Sequence, residues 1–548
     1  MRQIYTSLII LGALLAGSCS TSLLDIPQQG AQTEDNSYIT DSDCEAAIAA
    51  VYASWRSAYT GQGKSNINGF FLKNLLSDEI LGGGSGSSVA VAELSEIAPS
   101  PTNDGIDEYY KKLFKTVYLS NLVIHNFNAG ESLVKKRDIA EAKFFRAMCY
   151  YELVTLWGPV PKVDHVLGQT EYQIANSTEA DLWSFIEKDL DDALKSGALS
   201  VKKGLIDPDT NARVTEGAAY SLLGKVLLYE GKYSEARSAL EKVVKSEKYD
   251  LISDYGELYH IGANGCQEYV FECVRQFDVD NGGAQDGWDA ITCFWPMYGA
   301  RLLQLGPDAM SHYQFPTLGY GWSAFHATKS LYDTFVAAGD TYRRKNTVVS
   351  WDEVVAMNIF SERRMTFVEC EGYLRSKWLW RSDDAIPVVA TGTAPMLVNT
   401  PVIRYADVLL MLAEACVKSG ASGDEYYNYV RTRAHMPTKN GVTLDDIKLE
   451  RQLELACEAV RFQDLKRWGD APTVLADKGK VLSTFVVDPN PSNDYSTAAG
   501  VYNASYSTSV QTSASNFQSA GYQDMDKYLP FPQVEIETNL ALTQNPGF

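Results

Sequence analysis

The densest grouping of side chains capable of chemistry is Glu450, Arg451, Glu454, Glu458, Arg461, Asp464 and Arg467. Spacing of three and four residues places them along one helical stripe over Leu444 to Trp468, beside apolar Leu449, Leu453, Ala456 and Val460. Paired carboxylates are what glycoside hydrolysis needs, one protonating the leaving oxygen and the other acting as base or nucleophile. That chemistry sets its carboxylates on opposite sides of a sugar subsite, whereas these follow one stripe beside three arginines. The stripe therefore reads as an ion-pair network locking the helix to its neighbours, and Arg404 and Asp407 read the same way. No G-x-S-x-G occurs, and the six histidines lack metal-type spacing such as H-E-x-x-H. Asp278, Asp280, Asp286 and Asp289 offer oxygens of the kind calcium takes, without the EF-hand spacing, so they read as a solvated loop. The expectation is a protein that is not an enzyme and needs no cofactor, calcium on this loop being the less favoured reading.

Aromatic side chains point to binding. Trp288, Trp295, Tyr298, Tyr313, Tyr320, Trp322 and Phe325 crowd a segment with no helical period to bury them. Flat rings suit the C–H faces of pyranose sugars, with Asn, Asp, Gln and Arg taking the hydroxyls. Covering one ring face, roughly 80 Å² at about 25 cal/mol/Å², contributes about 2 kcal/mol before ordering costs. Two or three such platforms give a weak site, near the millimolar range at about −4 kcal/mol, which suits capture and hand-over. The candidate platforms are Trp288, Trp295, Tyr298, Tyr313, Tyr320 and Trp322. The competing reading is that these rings fill the core beneath long insertions.

The elements behind these residues are mostly helical. Arg213 to Leu251 holds two apolar runs broken at Glu230-Gly231-Lys232, and Tyr220-x2-Leu223-Gly224-x2-Leu227 … Ala236-x3-Leu240 fits a tetratricopeptide pair. Small Gly224 and Ala236 mark the close approach, and Leu223, Leu227, Tyr233 and Leu240 fill the seam. Such a pair needs stacked neighbours. Helical patterns at Asp43–Tyr59, Phe70–Ile80, Tyr109–Phe127, Arg137–Trp157, Glu179–Leu194, Pro401–Val417 and Asp424–Arg433 supply them. Gly82 to Pro101 reads as a flexible loop without a ring. Gly256 to Pro401 is irregular, with β-like runs such as Glu268–Cys273, and Asp488 to Asp526 has little periodicity.

Met1 and Arg2, the apolar run Leu8 to Ala16 and the small residues before Cys19 form a secretory signal, too short to span a bilayer. Leu-Ala-Gly-Ser-Cys resembles a lipobox that lipidates Cys19, and several acyl chains anchor stably. Loss of Arg2 with the signal leaves 47 basic against 69 acidic side chains, a net charge of −22. Such a surface repels nucleic acid and anionic lipid, so the membrane is met through the lipid anchor alone. Cys149, Cys416 and Cys457 read as buried thiols, and Cys266, Cys273 and Cys293 lie where a disulfide is conceivable in an oxidising compartment.

Four motifs carry a wider resemblance. They are Glu141-x2-Phe144-x-Arg146-Ala147-x2-Tyr150-Tyr151 running into Trp157-Gly158-Pro159-Val160-Pro161, and Pro401 to Leu410 running into Ala413-Glu414-Ala415. The others are Glu450 to Gly469, and the closing Leu529-Pro530-Phe531-Pro532-Gln533 with Leu542 to Phe548. In this order, behind a lipobox, the chain resembles the SusD/RagB family of surface nutrient-binding lipoproteins. The resemblance implies a mostly α fold, a stack of about four tetratricopeptide-like pairs supporting an irregular, loop-rich half with few short strands. It divides the chain into a signal peptide (1–18), a lipidated Cys19 with tether (19–32), an N-terminal SusD-like helical region (33–255), an aromatic-rich insertion region (256–400) and a C-terminal SusD/RagB region packing on the stack (401–548). It implies an outer-membrane protein facing the exterior that captures an oligosaccharide and delivers it to a SusC-like TonB-dependent transporter. In the RagB branch the ligand is a peptide.

Overall fold

The computed structural model describes residues 38–548 apart from 62–64, 66, 84–87, 208–209, 211, 275–301, 306–323, 357–358, 362–364, 379–397 and 489–506. The chain opens with α1 (Asp41–Thr60), α2 (Gly69–Leu75), strand β1 (Ile80–Gly83) and α3 (Val89–Ser95). It continues through α4 (Asp104–Asn126), α5 (Leu133–Trp157), α6 (Glu179–Lys195), α7 (Glu216–Tyr229) and α8 (Tyr233–Lys245). The middle holds β2 (Tyr269–Cys273), β3 (Leu302–Leu305), β4 (Ala324–Ala327), α9 (Lys329–Ala338), α10 (Thr341–Lys345), β5 (Val348–Ser350), α11 (Trp351–Ala356), β6 (Ile359–Ser361), β7 (Met365–Val368) and β8 (Tyr373–Arg375). The last part holds β9 (Thr400–Arg404), α12 (Tyr405–Lys418), α13 (Asp424–Arg433), α14 (Leu444–Leu455), α15 (Arg461–Trp468) and the long strands β10 (Val481–Asp488) and β11 (Ser507–Ala514).

Four helical pairs stack in sequence order. Helix α1 packs on α4, α5 on α6, α7 on α8 and α12 on α13, and the pairs touch through α4–α5, α6–α7 and α8–α12. The expected helices form for local reasons. In α1 a Thr40–Asp43 capping box satisfies the first amides, and Cys44, Ile48, Val51, Trp55 and Ala58 fall on one buried face. Helix α5 sits inside the stack and is buried continuously from Phe144 to Trp157. At the α7–α8 seam, a Cβ added to Gly224 would stand 2.5 Å from the Leu240 side chain. Ala236 and Leu240 are fully buried there, so the small residues allow the approach that the pattern implies.

The second half is irregular. Its strands pair antiparallel as β1–β4, β2–β9, β3–β6 and β5–β8, with one three-stranded sheet in the order β11–β10–β7. The chain's end returns to the stack. Trp157 Nε1 donates to the Pro530 carbonyl at 3.0 Å, and Asn545 Nδ2 donates to the carbonyls of Trp157 (2.9 Å) and Leu529 (2.7 Å). The first and last of the four motifs thus close on each other.

Several expectations need correction. The Gly82–Pro101 stretch is not all loop. Ser88 accepts from the Val91 amide and caps α3, whose Val91 and Leu94 are buried. The helix expected over Phe70–Ile80 ends at Leu75 and gives way to β1. Pro401–Val417 starts as a strand, because Thr400, Val402 and Ile403 are β-branched and Thr400, Pro401, Ile403 and Arg404 pair with β2, and the helix begins only at Tyr405. Leu444–Trp468 is two helices. Cys457 and Ala459 take left-handed backbone (φ 64° and 63°), and their freed amides donate to Glu79 Oε2 (2.8 Å) and Asn74 Oδ1 (3.1 Å). The stripe is therefore interrupted after Leu455. The segment Asp488–Asp526 includes β11, eight residues of regular strand. Phe325, read with the loop aromatics, is a core residue, stacked on Phe71 at 4.4 Å and 1% exposed.

Candidate binding site

The carboxylates of the stripe go into the protein. Glu450 and Glu454 have no solvent exposure, so no substrate reaches them. Arg343 Nη1 lies 2.7 Å from Glu450 and 2.9 Å from Glu454, Arg431 reaches Glu450 at 2.8 Å, and Arg404 and Arg433 both contact Glu454 and Glu268. Glu458 pairs with Arg404 (2.7 Å) and Lys377 (2.8 Å). Burial pushes the Glu454 carboxyl up, but the guanidiniums of Arg433, Arg404 and Arg343 outweigh it and hold the group well below the usual carboxylate range. A second cluster links Arg451 to Asp407 (2.7 Å) and Asp464 (2.8 Å), and Arg467 to Asp464 and Glu414. Asp407 is likewise held far down, burial being overcome by Lys225 and Arg451. With Asp340 on Arg343 in the first cluster and Lys225 on Asp407 in the second, each cluster balances cations against anions, the condition under which charge survives burial. The expected network is present, and it joins the second and third motifs.

The six candidate platforms Trp288, Trp295, Tyr298, Tyr313, Tyr320 and Trp322 lie outside the described residues, as do Cys19, Cys293 and the Asp278–Asp289 loop. Cys149, Cys416 and Cys457 are buried thiols. Cys266 is buried too, and burial pushes its thiol up to about 12. Among the described residues no group of three or more His, Cys, Asp or Glu could hold a metal ion, and no helix is long and apolar enough to cross a membrane.

What the structure does bring together is a cavity of about 350 Å³ between α1, residues 212–213 and the end of β2. Tyr52, Trp55 and Phe271 form its apolar part, and Arg56, Arg213 and Glu272 are polar. Arg213 is fixed by Asp138 (2.6 Å) and by both oxygens of Glu141 (2.8 Å each), and Tyr52 accepts the Val214 amide at 2.7 Å. Glu272 accepts from Asn399 Nδ2 at 3.0 Å, and burial pushes its carboxyl up to about 7. Near neutral pH it can therefore donate as an acid or accept as a carboxylate, which matches a hydroxyl that does both. The chain leaves this cavity at Val274 and runs on into the segment that carries Trp288, Trp295 and Tyr298. Sequence reasoning missed this cavity, because its walls come from three distant segments of which none carries a local signal.

A stack of four tetratricopeptide-like pairs with charge buried in clusters, carrying an insertion-rich half, defines a helical-repeat scaffold. A profile described as "SusD family" matches residues 371–548, and one described as "Starch-binding associating with outer membrane" matches residues 31–228. A "SusD-like protein" of Bacteroides ovatus is 24% identical over 498 residues, covering 83% of this chain and 81% of that protein. "Starch-binding protein SusD" of Bacteroides thetaiotaomicron is 23% identical over 421 residues, covering 69% and 73%. A solved "Laminarin binding SusD-like protein" superposes with a TM-score of 0.73 at 25% identity, over 93% of this chain and all of that one. The chain belongs to the SusD/RagB family.

Proposed function

We propose that the protein is a lipid-anchored glycan-binding subunit at the outer membrane, facing the cell exterior and passing oligosaccharide to a SusC-like TonB-dependent transporter without catalysis. The observation that carries this reading is the likeness over 93% of the chain to a laminarin-binding relative. The lipobox at Cys19 supports anchoring, and the buried pairing of the stripe carboxylates supports a binding role. Residues 1–18 act as signal peptide and 19–32 as tether, the helical region 33–255 and the C-terminal region 401–548 form the support, and 256–400 supplies ligand-facing rings. Trp288, Trp295, Tyr298, Tyr313, Tyr320 and Trp322 serve as platforms in this reading.

Electrophoresis of the protein through gels cast with plant, host and microbial polysaccharides tests it. Retardation by one glycan, with no shortening of that glycan on incubation, is expected. Co-purification with a TonB-dependent transporter is the second expected result, and its absence from a tagged pull-down counts against the partnership. A peptide ligand is favoured by one observation: residues 82–101 contain no aromatic ring. Under that reading every gel runs unretarded, and ligand uptake survives loss of Trp288 and Trp295.

A further inference from the structure

The third helical pair carries a second concavity, of about 280 Å³, between the first turn of α7 and the last turns of α8. Its walls include Lys202, Lys242, Lys245, Lys248, Tyr220 and Tyr249, with Glu216 the one acidic residue among them. In a chain of net charge −21, four lysines around one hollow invert the local field. Screening over about 8 Å at physiological salt limits what a small ligand feels to nearby charges, here the four lysines set against Glu216 and the Glu241 that pairs with Lys245.

Favourable interaction with the negative end of a helix explains lysines in the last turn of α8, where Lys242 and Lys245 lie. It does not explain Lys202, which comes from another segment and is 3% exposed. Lys202 Nζ donates to the Leu205 carbonyl at 3.0 Å and lies 4.8 Å from the centre of the Tyr249 ring. Among the described residues it forms no ion pair; burial lowers its pKa, and Glu272 and Asp207 oppose that only at longer range, so its charge is costly to keep. Lys245 is neutralised in part by Glu241, and Lys248 Nζ donates to the Lys203 carbonyl at 3.0 Å. Lys242 forms no ion pair among the described residues. Tyr249 is fixed by a 2.9 Å hydrogen bond to Thr215, so the floor is rigid.

We infer that this hollow is a subsite for an anionic sugar, a pyranose bearing a carboxylate or a sulfate. The lysines face the anionic group, and the half-buried Tyr220 ring offers a surface for the sugar's C–H face. The sugar half of this assignment rests on the glycan-binding reading above, while the anionic half rests on the lysines alone.

Calorimetry on the full-length chain in detergent tests it, with four probes: a galacturonate tetramer, a sulfated chondroitin tetrasaccharide, neutral laminarihexaose and poly-glutamate. One of the two acidic sugars is expected to bind at least about tenfold tighter than the neutral one, and which one does so identifies the anion. Lys242→Glu is expected to weaken that binding about tenfold, and raising salt from about 0.15 M to about 0.5 M to weaken it further, with laminarihexaose binding unchanged. Lys202→Met is expected to lose the acidic sugar and keep the melting temperature; if it fails to fold, the exposed Lys242→Glu decides alone. Equal binding of acidic and neutral sugars, or an unchanged affinity in Lys242→Glu, overturns the inference and leaves the glycan reading standing. Poly-glutamate binding tighter than either acidic sugar overturns it in favour of an acidic protein partner.

Discussion

Glu454 and Arg343 meet at 2.9 Å with neither side chain reaching solvent, although 111 residues separate them in the chain. The same carboxylate also receives Arg404 and Arg433, so one helix position holds together α10, β9 and α13. Removing one partner of a buried pair leaves its cations uncompensated. Glu454→Gln is therefore expected to lower unfolding free energy by roughly 3–5 kcal/mol, read as a shifted urea midpoint. A variant of unchanged stability would mean that the guanidiniums do not need this anion.

The α7–α8 seam sets a second expectation. A β-branched side chain at Gly224 meets Leu240 at contact distances no real Cβ shows, so Gly224→Val forces the pair apart. The expected cost is about 1–3 kcal/mol in thermal or denaturant unfolding. A neutral result would separate the two helices more widely than the structure has them.

Stability should peak at mildly acidic pH. Burial raises Glu272 and Glu96 to about 7 each, so between their unfolded values near 4.5 and neutrality the folded chain holds extra protons. Their contribution is complete below about 4.5 and is lost as pH rises through 7. The network carboxylates Glu454, Glu458 and Asp464 work in the opposite direction: their stabilisation exists above the ordinary carboxylate range and disappears as pH falls through their lowered values. The melting temperature is expected to be higher at pH 5.5 than at pH 8. Glu272→Gln should remove up to about 2 kcal/mol of that difference, and an unchanged pH profile in this variant would refute the assignment.

For the platforms, Trp288→Ala with Trp295→Ala is expected to abolish retardation in whichever glycan gel retards the parent, with circular dichroism and melting temperature unchanged. Retained retardation would move the site elsewhere, and the cavity at Tyr52 and Glu272 becomes the first place to look.

The sequence by itself determined the helical pairs, because the 3.6-residue period, the caps and small residues such as Gly224 and Ala236 are local signals that tertiary packing reinforced. It also fixed the fate of the stripe, since alternating acids and arginines beside an apolar face can be buried only as pairs. Tertiary structure alone decided where helices stop. The break after Leu455 depends on Glu79 and Asn74 capturing amides almost four hundred residues away, and the strand at Thr400–Arg404 depends on β2 offering an edge. It decided, too, that Phe325 faces Phe71 and not a ligand, and that Tyr52, Arg213 and Glu272 share a cavity. Burial and proximity across distant segments are properties of the folded chain, and no spacing along the sequence encodes them.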